Sequence, residues 1–117
     1  LISQLFFDNS CYYSFMEKIR IAGINVPVEA GIMPVTNKKS IERMVSMCGA
    51  SLPPKFTKIM QKYENNPEAL RDAGIAYAID QIVDLVSNGA DGIHLYTMNN
   101  AYVARRISEA VESIIRV

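Results

Sequence analysis

Hydrogen-bonding side chains follow each of three apolar segments that predict buried strands. The segment ends carry Asp8-Asn9-Ser10, Pro34-Val35-Thr36-Asn37 and Thr97-Met98-Asn99-Asn100. In parallel α/β architectures ligands bind at the carboxyl ends of the strands, so these side chains are candidates for contacting a ligand. The same residue types are common helix N-caps, because their oxygens accept hydrogen bonds from the free amides of a first helical turn. Residue type alone leaves both roles open.

Gln4 is the one amide side chain inside the first apolar segment, Leu1–Phe7. A buried amide must find hydrogen-bond partners or cost a few kcal/mol, so its position is informative. Strand alternation puts Gln4 on the same face as Ile2 and Phe6. If that face lines the interior of a barrel, the amide points toward the barrel mouth and can pair with a ring that has donor and acceptor edges. A hydrogen bond to a neighbouring strand is the alternative.

Glu29, His94 and Tyr96 also lie within predicted strands. Glu29 has no second carboxylate at a spacing suited to acid–base catalysis, so we interpret it as part of an interior ion pair or hydrogen bond. A single histidine within a strand is more often a packed, hydrogen-bonded core residue than a catalyst. Tyr96 shares a face with His94 and can either stack on a flat ligand or pack in the core.

Several kinds of site lack their sequence signature. The chain contains no Gly-rich phosphate-binding loop and no G-x-S-x-G nucleophile motif. Its two cysteines, Cys11 and Cys48, have no partner histidine at metal-ligand spacing, and we interpret both as buried thiols in helices. The sequence therefore predicts no metal site.

Composition indicates a single small domain. The chain has 117 residues, of which 50% are apolar, with 12 basic and 12 acidic side chains and a pI of about 6.8. A neutral domain lacks the positive field that attracts a phosphate backbone, so we expect no nucleic-acid partner. No apolar run approaches the roughly 20 residues that span a bilayer, so we expect no membrane partner and a cytoplasmic location.

Apolar periodicity and cap residues predict alternating strands and helices. The predicted strands are Leu1–Phe7, Val26–Met33 and Gly92–Thr97. Five helices are predicted. The first runs from Asp8–Ser10 to Gly23, and the second is capped by Thr36 or Asn37 and ends at Gly49. The third is opened by Ser51, Pro53 and Pro54, the fourth runs from Asn66-Pro67 to Gly89, and the fifth is capped by Asn99. Alternation of this kind implies parallel pairing with right-handed crossovers.

Three parallel strands make a poor sheet by themselves, whereas eight such units close a (β/α)₈ TIM barrel of about 250 residues. We therefore expect an α/β fold in which residues 1–117 are a single fragment, the last three βα units of such a barrel. The helices between Asn37 and Gly89 then include one extra helix inserted before the barrel helix. The chain has no initiator Met and begins at Leu1 inside an apolar run, which we interpret as a piece of a longer protein.

Five motifs occur in a specific order and spacing. They are Ser3-Gln4-Leu5-Phe6-Phe7-Asp8, Ala22-Gly23-Ile24, Gly31-Ile32-Met33-Pro34-Val35, Cys48-Gly49-Ala50-Ser51-Leu52-Pro53 and His94-Leu95-Tyr96-Thr97-Met98-Asn99. Together they resemble the C-terminal part of methylenetetrahydrofolate reductases, and the resemblance covers essentially the whole chain.

This resemblance implies a (β/α)₈ barrel that holds FAD. The reduced flavin passes a hydride to 5,10-methylenetetrahydrofolate and yields 5-methyltetrahydrofolate, after reduction by NADH or NADPH; some anaerobic members receive electrons from a partner protein instead. The family's catalytic glutamate and most of its flavin-binding residues lie on earlier strands. We therefore expect no catalytic residue within residues 1–117 and FAD held mainly by the missing N-terminal part. An isolated chain is then inactive and binds FAD weakly or not at all.

The resemblance also assigns site residues. Gln4 corresponds to the glutamine that contacts the folate pterin and the nicotinamide donor, which take turns at the flavin. A neutral amide can pair with the donor and acceptor edge of the pterin. Three weaker candidates depart from the family pattern: Ser40 replaces a folate-contacting glutamine, Met44 aligns with a phenylalanine that stacks near the pterin or nicotinamide, and Asn100 replaces an arginine or lysine suited to a carboxylate or phosphate.

A partial barrel leaves the edges of Leu1–Phe7 and Gly92–Thr97 unpaired, so we expect the chain to self-associate through them. The alternative to a reductase fragment is a free-standing, non-catalytic α/β module that binds a folate-like ligand or a protein. The two hypotheses differ in whether the native polypeptide extends upstream.

Overall fold

The computed structural model describes residues 2–3, 5–48, 52–97 and 100–115, with the side chains of Met44, Val45, Met47 and Cys48 outside the description. The helices are α1 (Asn9–Ile21), α2 (Lys38–Cys48), α3 (Pro54–Tyr63), α4 (Pro67–Ser87) and α5 (Ala101–Ile115), and the strands are β1 (Glu29–Ile32) and β2 (Gly92–Leu95). From α1 onward, the helices and strands follow one another in the order predicted from the sequence. None of the helices, over the residues described, has the length and apolarity needed to cross a membrane.

The sheet is parallel and follows the order of the chain. β1 pairs with β2 in parallel, with Glu29 opposite Gly92 and Gly31 opposite His94. On the other side of β1, Ile2 forms an isolated parallel bridge with Glu29. The predicted parallel pairing of three consecutive segments is therefore confirmed where the residues are described.

The prediction of a continuous, buried strand over Leu1–Phe7 is wrong for the described residues. There the pairing is a single bridge at Ile2, which is 47% exposed. The Gly31 amide, which a continued ladder would bond to a backbone carbonyl, donates instead to the Ser3 hydroxyl at 2.9 Å. Because a side chain has taken the place of the ladder acceptor, regular pairing ends at that point. Leu1 and Gln4 lie outside the described residues.

The other strands are shorter than predicted. β1 spans Glu29–Ile32 instead of Val26–Met33. Before it, the Val28 amide donates to the Asp91 carboxylate at 2.9 Å rather than to a strand. After it, Pro34 has no amide proton with which to continue the ladder. β2 likewise ends before its predicted carboxyl end.

Side-chain caps start most helices where the sequence indicates. The Asp8 carboxylate accepts a hydrogen bond from the Ser10 amide at 2.9 Å, which begins α1. Asn37, one of the two predicted caps of α2, accepts from the Ser40 amide at 2.8 Å. Asn66 caps α4 by accepting from an amide in its first turn at 3.1 Å.

The last helix starts one residue later than predicted. It begins at Ala101, so the residue in capping position is Asn100, whose Oδ1 accepts from the Val103 amide at 3.2 Å. The prediction that Asn99 caps this helix is therefore wrong, and Asn99 itself lies outside the described residues.

The main apolar core lies on one face of the sheet. Val28, Ala30 and Ile32 alternate along the β1 region, and each is at most 1% exposed. They pack with buried residues of α1, α4 and α5, namely Tyr12, Ile75, Ala78, Ile82, Leu85, Val103, Ile107 and Val111. Strand alternation therefore turns Glu29 and Gly31 toward the opposite face.

A second apolar cluster closes the carboxyl end of the sheet. In it, Phe7, Met33 and Val35 pack with Phe56 and Met60 of α3. α4 is the helix that packs along the sheet before β2. Two helices, α2 and α3, precede it, so the prediction of one extra helix before the barrel helix is wrong.

Cys11 lies on the exposed side of α1, because the helix turns Tyr12 toward the core. The prediction of a buried thiol is wrong at this position. The side chain of Cys48 lies outside the described residues.

α4 approaches the backbone that follows β1 so closely that Gly74 has no room for a side chain. A Cβ there would overlap the Val35 carbonyl oxygen, and it would lie 2.8 Å from the Val35 carbonyl carbon and 3.4 Å from the Thr36 Cα. These atoms belong to the backbone, so they cannot move aside as the end of a flexible side chain can. The contact sets the distance between α4 and the carboxyl end of β1.

We expect Gly74→Ala to lower the free energy of unfolding by about 1–3 kcal/mol, as overpacking does. The gain in helix propensity, about 1 kcal/mol, does not offset a clash with rigid backbone. Gly92→Ala is the matched control, since its Cβ would meet the flexible Glu29 side chain at 3.2 Å. Chemical denaturation compares the two variants. A Gly74→Ala protein as stable as its parent would contradict the close approach of α4.

Candidate functional site

The three segment ends that carry hydrogen-bonding residues meet at one end of the sheet. The Tyr96 amide donates to the Ile32 carbonyl at 2.8 Å, so the chain after β2 runs beside the end of β1. Phe7, from the end of the first segment, packs in the same apolar cluster as Val35 and Tyr96. The three ends are thus neighbours in space, as ligand binding at the carboxyl ends of strands requires.

Helix capping accounts for several of the polar side chains at these ends. Asp8, Asn37 and Asn100 each direct a side-chain oxygen to a helix amide. Of the two roles that residue type left open, capping is the one these contacts support.

The predicted substrate-binding residues are described only in part. Gln4 and the side chain of Met44 lie outside the described residues. Ser40 is half-buried in the first turn of α2, where its amide donates to Asn37 at 2.8 Å. Asn100 caps α5. The roles of these residues toward folate stay predictions.

The face of the sheet opposite the core brings His94 and Glu29 together. His94 Nδ1 lies 3.7 Å from Glu29 Oε2, with 40% and 49% of the two side chains exposed. The His94 ring meets the Tyr96 ring at a centroid distance of 4.4 Å and an interplanar angle of 65°. Glu29 therefore has His94 as a partner, as an ion pair when the imidazole is protonated, but the predicted interior position is wrong in this structure, because both side chains are about half exposed. Tyr96 packs edge-on against its neighbour, which is one of the two roles that the sequence allowed.

Polar residues of α4 hold the backbone that leads into α1. The Tyr77 hydroxyl donates to the Phe7 carbonyl. Gln81 is only 5% exposed and donates to the Phe6 carbonyl at 3.1 Å. α4 therefore fixes the end of the segment that contains Gln4.

These α4 residues were not predicted from the sequence, although a signal was present. Tyr77, Gln81 and Asp84 recur at spacings of four and three along α4, which places them on one side of the helix. Such a polar stripe beside an apolar one marks a helix side that contacts polar groups. A glutamine within a buried helix also indicates a specific hydrogen-bond partner.

A cleft of about 360 Å³ lies between the start of α1 and α4. In it, Asp84 accepts hydrogen bonds from Asn9 Nδ2 at 2.9 Å and from the Tyr13 hydroxyl at 2.7 Å, and these bonds lower the pKa of Asp84. Burial, and then the bond to Asp84, raises the pKa of Tyr13 to about 12. These polar groups are engaged with one another, and within the described ranges no cluster of histidine, cysteine and carboxylate side chains is placed to hold a metal ion.

Comparison with known proteins identifies the relatives of this chain. A family profile described as methylenetetrahydrofolate reductase matches residues 1–112. Methylenetetrahydrofolate reductase (NADH) 1 of Arabidopsis thaliana is 33% identical over 99 residues, which is 85% of this chain and 17% of that protein. The 5,10-methylenetetrahydrofolate reductase of Pectobacterium carotovorum subsp. carotovorum is 31% identical over 106 residues, 91% of this chain and 36% of that protein. The probable methylenetetrahydrofolate reductase (NADPH) of Caenorhabditis elegans is 30% identical over 112 residues, 95% of this chain and 17% of that protein.

The chain spans only part of these relatives, between 17% and 36% of their length. The range matched by the family profile includes all four predicted site residues, Gln4, Ser40, Met44 and Asn100.

We expect Tyr77→Phe to lower the free energy of unfolding by about 1 kcal/mol at neutral pH, because it removes the hydrogen bond to the Phe7 carbonyl. Burial raises the pKa of Tyr77 from 10.0 to about 12. Its contribution is therefore complete below about pH 10 and is lost as pH rises toward 12. In the variant, stability should fall less steeply over that interval.

Chemical denaturation at several pH values measures both effects. Tyr63→Phe, at a half-buried tyrosine of α3, is the matched control. Equal stability of the Tyr77→Phe protein and its parent at every pH would contradict the anchoring of Phe7 by α4.

Proposed function

The chain belongs to the methylenetetrahydrofolate reductase family, and from this premise we propose that the protein containing it carries out the flavin-dependent reduction of 5,10-methylenetetrahydrofolate to 5-methyltetrahydrofolate. The family match over residues 1–112 is the observation that carries the proposal. In that protein, residues 1–117 supply part of the folate and nicotinamide side of the site. The protein is then an oxidoreductase of one-carbon metabolism.

The proposed architecture is the last three βα units of a (β/α)₈ barrel. Residues of α1, α4 and α5 all join the core on the face of Val28, Ala30 and Ile32. A doubly wound sheet carries helices on both faces, whereas a barrel wall carries them only outside, so one-sided cover supports a barrel. The Glu29–His94 pair on the opposite face would then line the barrel interior.

Gln4 is the residue proposed to contact the pterin. Its neighbours are held on both sides, since Ser3 bonds to β1 and the Phe6 and Phe7 carbonyls bond to α4. An amide carried by an anchored segment can present a donor and an acceptor with little further loss of conformational freedom. Because the amide stays neutral, the same group can serve the folate and the nicotinamide in turn.

Ser40, Met44 and Asn100 are proposed as weaker folate contacts. Ser40 and Asn100 both lie where a helix starts near the carboxyl end of the sheet. The Asn100 side-chain oxygen is committed to the Val103 amide, so a substrate contact at this residue falls to its amide nitrogen, as a donor.

FAD is proposed to be held mainly by the part of the protein outside residues 1–117. FAD carries a pyrophosphate, and the free amides of helix N-termini are a common site for such anions. Here an amide at the start of each of α1, α2, α4 and α5 is engaged by a capping side chain; the caps are Asp8, Asn37, Asn66 and Asn100. We therefore place FAD mainly on the remainder of the protein, where it would supply the hydride chemistry.

NADH or NADPH is proposed as the electron donor. The name of the Arabidopsis relative specifies NADH, and that of the Caenorhabditis relative specifies NADPH. An electron-transfer partner protein is the alternative source of electrons. The proposed location is the cytoplasm.

In the full-length protein, Gln4→Glu is expected to raise the KM for methylenetetrahydrofolate about 10-fold, because a carboxylate loses the amide donor. The KM for the nicotinamide donor should rise as well, while flavin content stays unchanged. Gln61→Glu, at an exposed glutamine of α3, makes the same chemical change away from the site and serves as the control. Steady-state kinetics with each substrate varied in turn measure both constants. Unchanged values for Gln4→Glu would remove Gln4 from the proposed site.

The isolated 117-residue chain is expected to purify without flavin, to be inactive, and to form particles larger than a 13.1 kDa monomer. In the described sheet β2 has β1 on one side and no strand on the other, and open edges favour pairing between chains. Absorbance, an assay for folate reduction, and light scattering test the three expectations. Stoichiometric flavin, measurable reduction, or a monodisperse monomer would each refute the corresponding one.

A further inference from the structure

The cleft between the start of α1 and α4 contains a buried amide whose oxygen has no donor. Gln81 lines this cleft and is only 5% exposed. Its Nε2 donates to the Phe6 carbonyl at 3.1 Å and to Asn9 Oδ1 at 3.2 Å. Because a backbone carbonyl can only accept, the bond to Phe6 fixes which end of the amide is the nitrogen. The other end, Oε1, accepts no hydrogen bond from any described residue.

The Gln81 oxygen is open to a molecule in the cleft. Among the described residues, no side-chain oxygen or nitrogen is both fully enclosed and without a partner, so Gln81 Oε1 reaches open space. The cleft, of about 360 Å³, is open space that Gln81 lines. Buried polar groups in proteins nearly always have a partner, so an acceptor in this position points to a donor from outside the chain.

Two carboxylates that line the same cleft also keep an oxygen free. Asp8 Oδ1 accepts from the Ser10 amide and hydroxyl at 2.9 and 2.7 Å, which leaves Oδ2 without a donor from the described residues. Asp80 Oδ2 accepts from Lys55 Nζ at 3.3 Å, and its Oδ1 has no donor in the described part of the chain. With Gln81, three residues of the cleft therefore offer an acceptor to a ligand.

The side-chain donors of the cleft are, by contrast, mostly engaged. Asn9 Nδ2 donates to a backbone carbonyl of α4 at 3.1 Å and to Asp84 Oδ2 at 2.9 Å. The Tyr77 hydroxyl donates to the Phe7 carbonyl. Among the described residues that line the cleft, only the Lys55 ammonium keeps side-chain N–H groups free. A ligand that satisfies this cleft must therefore bring donors.

The cleft also carries a net negative charge. Asp8, Asp80 and Asp84 line it, and Lys55 is the one cation among its described lining residues. The starts of α1 and α3 add partial positive charges of about half a unit each, which leaves about one negative charge. Hydrogen bonding, first from Asn9, lowers the pKa of Asp84, so this carboxyl group is ionised at neutral pH.

Lys55 shows which kind of group fits the cleft. Its Nζ lies 5.8 Å from the centre of the Tyr77 ring and 3.3 Å from Asp80 Oδ2, so an alkylammonium group already lies beside an aromatic ring and a carboxylate. The two side chains of this ion pair are 65% and 69% exposed, so the pair is weak and can give way to a ligand.

The size and donor set of the cleft favour an organic cation over a metal ion. A volume of about 360 Å³ is near the lower end of the range for small-molecule sites. Over the described ranges, no group of histidine, cysteine and carboxylate side chains is placed to hold a metal ion.

We propose that this cleft binds a small organic cation with several N–H donors, an alkylammonium or guanidinium compound. Its N–H groups donate to Gln81 Oε1 and to the free oxygens of Asp8 and Asp80, and its apolar part lies against the Tyr77 ring. The inference does not depend on the proposed function, because every residue that carries it belongs to the described chain.

The first test is a ligand-observed NMR titration of the full-length protein. The probes are diaminobutane and N-acetylarginine amide, which separate an ammonium from a guanidinium group, and butanediol, which lacks the charge. At least one cation should bind, more weakly as salt is added, and butanediol should not. Absence of binding by both cations up to about 10 mM, enough to fill most of a site with a Kd of about 1 mM, would overturn the proposal. Equal binding of butanediol and diaminobutane would overturn it as well.

Charge variants locate the binding. Asp8→Asn and Asp80→Asn are each expected to weaken the affinity for the cation two- to five-fold, about what one partly exposed ion pair contributes. Asparagine at position 8 still caps α1, so the helix is kept. Lys55→Gln should strengthen the affinity by a similar factor, because it removes the cation that competes for the cleft. Weaker binding by Lys55→Gln would contradict the proposed competition.

Asp72→Asn is the matched control. It makes the same substitution on α4, about 12 Å along the helix axis from Asp80 at 1.5 Å per residue, and it likewise removes one carboxylate of an exposed ion pair. Its affinity for the cation should equal that of the parent. A loss as large as that of Asp80→Asn would count against the site, since net charge alone would then explain the change.

A crystal structure of the full-length protein with the bound probe tests the role of Gln81. A nitrogen of the cation should lie about 3 Å from Gln81 Oε1. A cleft without the probe at a saturating concentration, or a probe bound only elsewhere on the protein, would refute the assignment.

Discussion

The approach of α4 to the sheet is the contact on which the rest of the structure depends. Gly74 lets the helix lie against the Val35 carbonyl, and apolar side chains of the same helix cover Ile32. At that distance Gln81 reaches the Phe6 carbonyl at 3.1 Å. One helix therefore sets both the packing of the sheet and the position of the segment from which the candidate site is built.

The packing of α1, α4 and α5 on the same face of the sheet has a consequence for function. α1, α4 and α5 bury one side of the sheet, while on the other side Glu29 and His94 are each about half exposed. A small parallel sheet with a bare face and an open edge gains stability when further polypeptide covers both. The match to between 17% and 36% of the length of the relatives agrees with such a larger assembly.

Elements with strong local signals could be predicted from the sequence, whereas contacts set by tertiary structure could not. α4 is capped by Asn66 and ends before Gly89, whose φ of +81° suits glycine. Both features could be predicted because helix capping and termination are local. The first segment was mispredicted as a strand, since the bond from the Gly31 amide to the Ser3 hydroxyl depends on two distant residues meeting. In the site, the partner of Glu29 could not be predicted, because His94 lies beside it only through the register of β1 and β2. Periodicity could not tell which backbone carbonyls the polar residues of α4 would face.

The most direct test of the central claim is the mass and colour of the native polypeptide that carries this segment, isolated from its source cells. We predict a product at least about twice the present length, yellow from bound flavin, that forms 5-methyltetrahydrofolate. A colourless native product of about the 13.1 kDa of this chain would contradict the assignment to a larger reductase. It would leave a free-standing α/β module whose binding partner has to be sought.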